Sequence, residues 1–294
     1  MKKIIILTAA LSTAFLFSCQ KDSKELVLSD QELAIIMDDA ASDNLIETKD
    51  YEVDYYSGSP DIINSINNGG QKSSFWPRWR YVNGEGPALT VDPIGWSWPK
   101  TITIDYGEGI ELINGRIITG MIIINVSARP LTDGATREVS YEDFYVDSVH
   151  IEGGATRTFI GTDSTQRVFS NVSDLTLTFP DGTILYRHGE RIRTLLEGFE
   201  TPFYHGDDVI LIEGFVDYET SGGKSFSKTI ISPLTKTGAC RFITKGTVSF
   251  TLNGEDFAEL DYGDGTCNDV ATITKGGETR QITIGRRVRR FWSR

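Results

Sequence analysis

A mainly β fold, an antiparallel β-sandwich or partly open barrel preceded by one short N-terminal helix, is what this sequence predicts. Three observations carry that expectation. From about Lys100 onward, short alternating or β-branched runs recur at 101–105, 121–126, 144–151, 175–179, 209–216, 246–252 and 281–284. Between them stand Asn114-Gly115, Asp181-Gly182, Asn253-Gly254 and Gly276-Gly277, dipeptides that tolerate the positive φ of tight hairpins. No helical period longer than a turn or two follows residue 50, which argues against parallel βαβ units.

The chain opens with Lys2 and Lys3, followed by a run at 4–18 that is apolar or small apart from a few hydroxyls. This is the layout of a secretory signal, with 1–18 removed on export, and it is too short for a settled transmembrane helix. Leu16-Phe17-Ser18-Cys19 resembles the bacterial lipobox, which would make Cys19 the lipidated first residue of the mature protein. The competing reading is an ordinary cleaved signal beside a bystander Cys. Residues 19–28 read as lipidated Cys and polar tether. Their start, Cys19-Gln20-Lys21-Asp22, resembles the Lys-plus-acid signal that sends some Bacteroidetes lipoproteins to the outer leaflet of the outer membrane. The expected location is therefore the cell surface in preference to the periplasmic face.

A short acidic amphipathic helix is expected over 29–48. Ser29 and Glu32 form a capping box, and Leu33, Ile36, Met37, Ala40 and Ala41 share one face. Asp38, Asp39, Asp43 and Glu47 are read as its solvated side, with the helix docking on the β domain or on a partner. Residues 49–99 read as an irregular segment. Within it Phe75, Trp76, Trp79, Tyr81, Trp96 and Trp98 are interleaved with Pro77, Pro87 and Pro93, and prolines exclude a helix or a central strand. Trp76, Trp79, Trp96 and Trp98 are the candidate ligand-binding residues, as a platform that stacks on sugar rings; alternatively the rings pack as a satellite core. The β domain spans 100–285, and 286–294 is a basic tail bearing Arg286, Arg287, Arg289, Arg290 and Arg294. That tail is read either as an edge strand with outward arginines or as a contact for acidic surfaces and phosphates.

Composition narrows the function classes. The formal net charge is −12, and loss of Lys2 and Lys3 takes the mature chain to about −14. Such a chain repels phosphate backbones, so nucleic acid is not an expected partner. Its membrane attraction must come from the lipid anchor, and two or more acyl chains, as on a triacylated Cys, suffice. With Cys19 lipidated, Cys240 and Cys267 remain as a pair in an oxidising compartment. They form either a disulfide or two buried thiols.

Two internal echoes suggest a duplicated β half-domain or one turn solution reused. Asp105-Tyr106-Gly107-Glu108-Gly109 matches Asp261-Tyr262-Gly263-Asp264-Gly265. A glycine also stands two residues after an isoleucine at Gly120, Gly153 and Gly214. In the second Asp-Tyr-Gly copy, Asp261, Asp264, Asn268 and Asp269 make a weak calcium candidate, although the spacing is not that of an EF-hand. A plain Gly turn accounts for it equally. Catalysis has little support: His150, His188 and His205 are scattered and no nucleophile elbow occurs. With 41 acidic residues a carboxylate pair is always formally available, so a carboxylate-dependent hydrolase at the envelope stays as the alternative. No catalytic residue and no cofactor is indicated.

Taken together, Cys19-Gln20-Lys21-Asp22, the acidic helix, both Asp-Tyr-Gly turns, Phe179-Pro180-Asp181-Gly182 and Cys240 resemble a family of uncharacterised Bacteroidetes β-rich lipoproteins. The resemblance covers nearly the whole mature chain and implies location and a β fold, but no activity. The expectation is an exported, lipid-anchored envelope protein with a non-catalytic binding or structural role. Carbohydrate capture is its most concrete form, and a glycan or another envelope protein the partner.

Overall fold

Ser29 starts the first element as the sequence predicts. Its hydroxyl accepts the Glu32 N–H, while Glu32 Oε2 accepts the Ser29 N–H at 2.8 Å, a reciprocal cap. The computed structural model describes residues 28–58, 63–64, 81–162, 165–201, 204–240 and 242–284. The signal, Cys19, Trp76, Trp79 and the basic tail lie outside the described residues. Among those residues no helix is long and apolar enough to cross a membrane.

Helix α1 runs Asp30–Ser57, well past the expected end at 48. The sheet strands are β1 (Ala88–Asp92), β2 (Lys100–Asp105), β3 (Ile110–Glu111), β4 (Ile117–Val126), β5 (Thr136–Val146), β6 (Val149–Thr162) and β7 (Arg167–Thr178). They continue with β8 (Ile184–Glu197), β9 (Val209–Thr220), β10 (Ser225–Thr237), β11 (Ile243–Leu252), β12 (Glu255–Asp264), β13 (Val270–Lys275) and β14 (Glu278–Thr283). All pair antiparallel in sequence order, apart from β3, which pairs only with β4. The result is one 14-stranded sheet that does not close into a barrel, with β1 and β14 as its edges.

That sheet wraps α1. Side chains from both ends of the strand order, Tyr106 just after β2 and Lys275 of β13, reach the same helix through Glu52 and Glu32. A flat sheet of this width could not bring them together. The curvature has a local cause at the Ile-x-Gly sites. Gly153 and Gly214 take φ of 100° and 121°, and a Cβ on either would lie 2.2 and 2.1 Å from a carbonyl oxygen of the neighbouring strand. Only glycine lets the strands kink there.

The four predicted hairpin markers all sit at turns. Asn253-Gly254 and Gly276-Gly277 join β11 to β12 and β13 to β14, with positive φ at Asn253, Gly254, Gly276 and Gly277. Three expectations need correction. The run 144–151 is two strands, turned at Asp147, whose φ is +57°. Within 49–99, residues 49–57 are helical and 88–92 form edge strand β1, an edge being where flanking prolines are tolerated. The acidic side of the helix faces the sheet and not open solvent. Asp39 is 2% exposed, because α1 is enclosed by the sheet and its carboxylates meet cations there.

The core is the concave side of the sheet packed on α1. Ile102, Ile104, Ile122, Ile124, Phe144, Val248 and Phe250 are wholly buried from the sheet, and Ile36, Val53 and Tyr56 from the helix. Cys240 and Cys267 form a disulfide with a Cα–Cα distance of 5.7 Å. It ties the β10–β11 connection to the β12–β13 connection.

Candidate functional site

Four aspartates of α1, Asp39, Asp43, Asp50 and Asp54, stand at i, i+4, i+11 and i+15. At about 100° per residue they stay within a stripe roughly 60° wide. Strands β5, β6, β8 and β10 present cations to that stripe. Lys228 Nζ donates to Asp39 Oδ2 at 2.8 Å and to Asp43 Oδ2 at 2.5 Å. Arg187 and Arg191 reach Asp43 Oδ1 at 3.2 and 3.1 Å. Arg137 and Arg157 both meet Asp54 Oδ1 at 2.6 Å, and Arg193 lies 3.9 Å from Asp50, which also takes Lys49.

Burial pushes the Asp43 carboxyl up, but Lys228, Arg191 and Arg187 outweigh it and hold the group well below the usual carboxylate range. Burial, opposed by Arg157, Arg137 and Arg193, leaves Asp54 low for the same reason. Buried ion pairs gain little over well-packed apolar side chains, since each ion gives up its hydration. What they do here is set the helix's rotation. Turning α1 by one residue, about 100°, would drive the carboxylates into the apolar wall.

A second polar group fixes the C-terminal half of α1. Glu52, fully buried, accepts from Tyr106 Oη at 2.6 Å and Tyr81 Oη at 3.1 Å, and the Tyr56 and Tyr81 hydroxyls meet at 2.7 Å. Burial, with Glu52 beside it, raises the Tyr106 phenol well above its ordinary value, so it stays a donor. Tyr106 belongs to the first Asp-Tyr-Gly turn. In both copies the Asp accepts the N–H of the Gly two residues on, Asp105 to Gly107 and Asp261 to Gly263, each at 2.8 Å. The two copies thus form the same Asx turn, and both tyrosines turn toward the helix side.

Three of the four calcium candidates serve turns of this kind. Besides Asp261, Asp264 Oδ1 accepts Thr266 N–H and Asn268 Oδ1 accepts Val270 N–H. Among the described residues no group of three or more His, Cys, Asp or Glu is placed to hold a metal ion, so Asp261, Asp264 and Asp269 do not converge. Of the four candidate tryptophans only two are described, and they differ. Trp96 is 77% exposed beside Ile94 at 76%. Trp98 packs against the core, with the Lys100 ammonium 5.5 Å from its ring centroid. Lys100 is itself buried and donates to the Pro93 and Gly95 carbonyls at 2.6 and 2.7 Å, a strut that holds the loop presenting Trp96.

A cavity of about 1270 Å³ runs along the acidic side of α1. Ile36, Ala40, Asp43, Glu47, Asp50 and Asp54 line it from the helix, about one per turn over roughly 27 Å. Phe159, Phe169, Leu195, Ile210, Ile212 and Leu260 line it from the sheet. Arg157 stacks over Phe169 at 5.5 Å and Arg167 over Phe199 at 5.1 Å. Arg167 has no ion pair among the described residues. Burial lowers its pKa, against the pull of Glu200.

Sequence reasoning missed this cavity and the ion ladder, although signals for the ladder exist. Arg187, Arg191 and Arg193 share one parity and therefore one face of β8. The four aspartates keep a period close to that of an α-helix. No family model matches this chain, and comparison with curated proteins and with solved structures found no match either.

Proposed function

We propose that this chain is an exported, lipid-anchored protein of the cell envelope that binds an amphiphilic ligand without transforming it. The cavity along α1 carries this reading. Its volume of about 1270 Å³ exceeds the ~300–1,000 Å³ common for drug-sized ligands, and its lining is mostly apolar. An elongated hydrocarbon chain suits that space, with an anionic head held by Arg167 beside the Phe199 ring. The resemblance to Bacteroidetes lipoproteins and the Cys19 lipobox support placement at the outer membrane, facing outward. The hydrolase alternative draws no help from Asp43, Asp50 and Asp54. A carboxylate clamped by two or more cations is held ionised and makes a poor general acid.

The test uses soluble chain beginning at Gln20 and a fluorescent fatty-acid probe. Dodecyl sulfate and long-chain carboxylates should displace the probe, and Arg167→Ala should weaken them about tenfold, ~1.4 kcal/mol, while sparing a neutral-headed analogue. Failure of every amphiphile to displace or bind would overturn the reading. The anchor is tested apart from it. Cys19→Ala should abolish fatty-acid labelling and membrane association, and a processed variant that still pelleted with membranes in high salt would refute the lipoprotein assignment.

Carbohydrate capture is a second reading, favoured by one observation. Trp96 stands exposed on a loop that the buried Lys100 holds in place. A fixed, exposed indole suits stacking on a sugar ring.

A further inference from the structure

A second, much smaller cavity of about 50 Å³ lies between α1 and strands β5 to β8. Arg137, Arg157, Arg187, Arg191, Arg193 and Lys49 line it, and Asp50 is the one carboxylate among its described lining residues. The carboxylates that these six cations touch number three. Asp43 serves Arg187 and Arg191, Asp54 serves Arg137 and Arg157, and Asp50 serves Lys49 with Arg193 at 3.9 Å. Among the described residues, three positive charges therefore remain without a carboxylate.

Hydrogen bonding leaves the same deficit. The Nε–H groups of Arg137, Arg187 and Arg191 are buried with no acceptor. Arg187 is only 3% exposed, so water from outside does not reach it freely. Arginine does not shed its proton to escape such a place. Burial, together with the neighbouring Arg137 and Arg193, lowers Arg157 to about 10 against the pull of Asp54, which still leaves it charged at neutral pH. A buried, uncompensated charge is costly, and an anion is the direct remedy.

The space limits which anion. One water needs roughly 10–15 Å³ of this kind of volume, so about 50 Å³ admits a few waters or one small ion, and no sugar phosphate or nucleotide. Gly189 contributes to the opening. A Cβ there would sit 3.2 Å from Arg187 Nη1 and 3.1 Å from Ser173 Oγ.

We propose that this chamber binds a small monovalent inorganic anion of chloride or nitrate size, which completes the charge balance between α1 and strands β5 to β8. The anion is then a structural ligand that locks the helix into the sheet. It binds the folded chain and not the unfolded one, so it must stabilise by mass action.

The experiment unfolds the mature chain and refolds it in gluconate, too large for the chamber, then titrates chloride at constant ionic strength. The melting temperature should rise by about 2–5 °C per tenfold increase in chloride once the site begins to fill. Bromide and nitrate should substitute, and sulfate should not. Arg187→Met should abolish the chloride dependence while retaining a cooperative melt in gluconate. Should that variant fail to fold, crystals of the native chain grown in bromide decide the matter. An anomalous peak among Arg137, Arg187 and Arg191 supports the proposal, and ordered water alone in the chamber overturns it. Equal melting temperatures in chloride and gluconate overturn it too.

Discussion

Lys228, on β10, closes on Asp39 of α1 across 189 residues of sequence, with the ammonium 2.8 Å from Oδ2 and Asp43 at its other side. Tyr218 adds a hydrogen bond to Asp39 Oδ1 at 2.8 Å. Both partners are almost wholly buried, so this contact decides where the N-terminal half of the helix sits against the far strands.

Removing one partner should leave a stranded charge. Lys228→Met and Asp39→Leu should each destabilise by about 3–5 kcal/mol. The double variant should lose much less than the sum, because two apolar side chains need no compensation. Urea unfolding at pH 7 measures all three. A double variant as unstable as the sum would mean that the pair does not act as a unit.

Acid and neutral conditions should separate two aspartates of α1. Burial, with Asp181 and Asp39 nearby, raises Asp38 to about 6, above its unfolded value. Its contribution is therefore favourable below pH ~4 and is lost as pH rises toward 6. Asp38→Asn should stabilise at pH 7.5, by about 1–2 kcal/mol after allowance for partial exposure, and do little at pH 4. Asp54 is depressed, so its stabilisation is present above pH ~4 and drains as pH falls further. Asp54→Asn should destabilise at neutral pH and flatten the acid limb. Melting curves across pH 3–8 read both.

Cys240 and Cys267 should resist alkylation in the native chain until reductant is added. On the chain-entropy account, a loop of this length contributes roughly 3–4 kcal/mol, and reduction should lower the melting temperature to match. Rapid labelling of both thiols without reductant would contradict the bridge.

The two described tryptophans should part company. Trp96→Ala should shift stability by no more than about 0.5 kcal/mol, since little of the ring is packed. Trp98→Ala should cost about 2–3 kcal/mol through lost packing and the Lys100 contact. If the Trp96 loop captures a glycan, Trp96→Ala should weaken binding by about 1–3 kcal/mol at unchanged stability. A calorimetric titration alongside the melts distinguishes the cases.

The sequence was most informative where one face of a strand is apolar. β4 carries Ile118, Ile122 and Ile124 inward, and the Asn-Gly and Gly-Gly turns mark their hairpins directly. β8 was illegible for a physical reason. Its inward residues Arg187, Arg191 and Arg193 are as polar as its outward His188 and Glu190, so no alternation of hydrophobicity remains to be read. The helix was lost beyond 48 in the same way. Tyr51, Val53, Tyr55 and Tyr56 are poor helix formers, held helical by the Asp54 ion pairs and the Glu52–tyrosine cluster. Of the site, the disulfide pair and the exposed Trp96 were within reach. The cavity was not, because its walls come from strands more than a hundred residues apart.

The enclosed helix constrains the order in which this chain matures. A chain made from its N-terminus delivers α1 before the strands, whereas the sheet cations that meet it follow 83 to 243 residues later. Until β10 arrives, α1 is a helix without a seat, carrying aspartates and apolar side chains side by side. Native contacts of such span slow folding, since loop closure must precede any reward. The helix should accordingly be among the last elements to gain protection from amide exchange, although it precedes every described strand in the chain. Truncation anywhere before Lys228 should expose it to proteases, so a chain that stops short declares itself by losing its own N-terminal end.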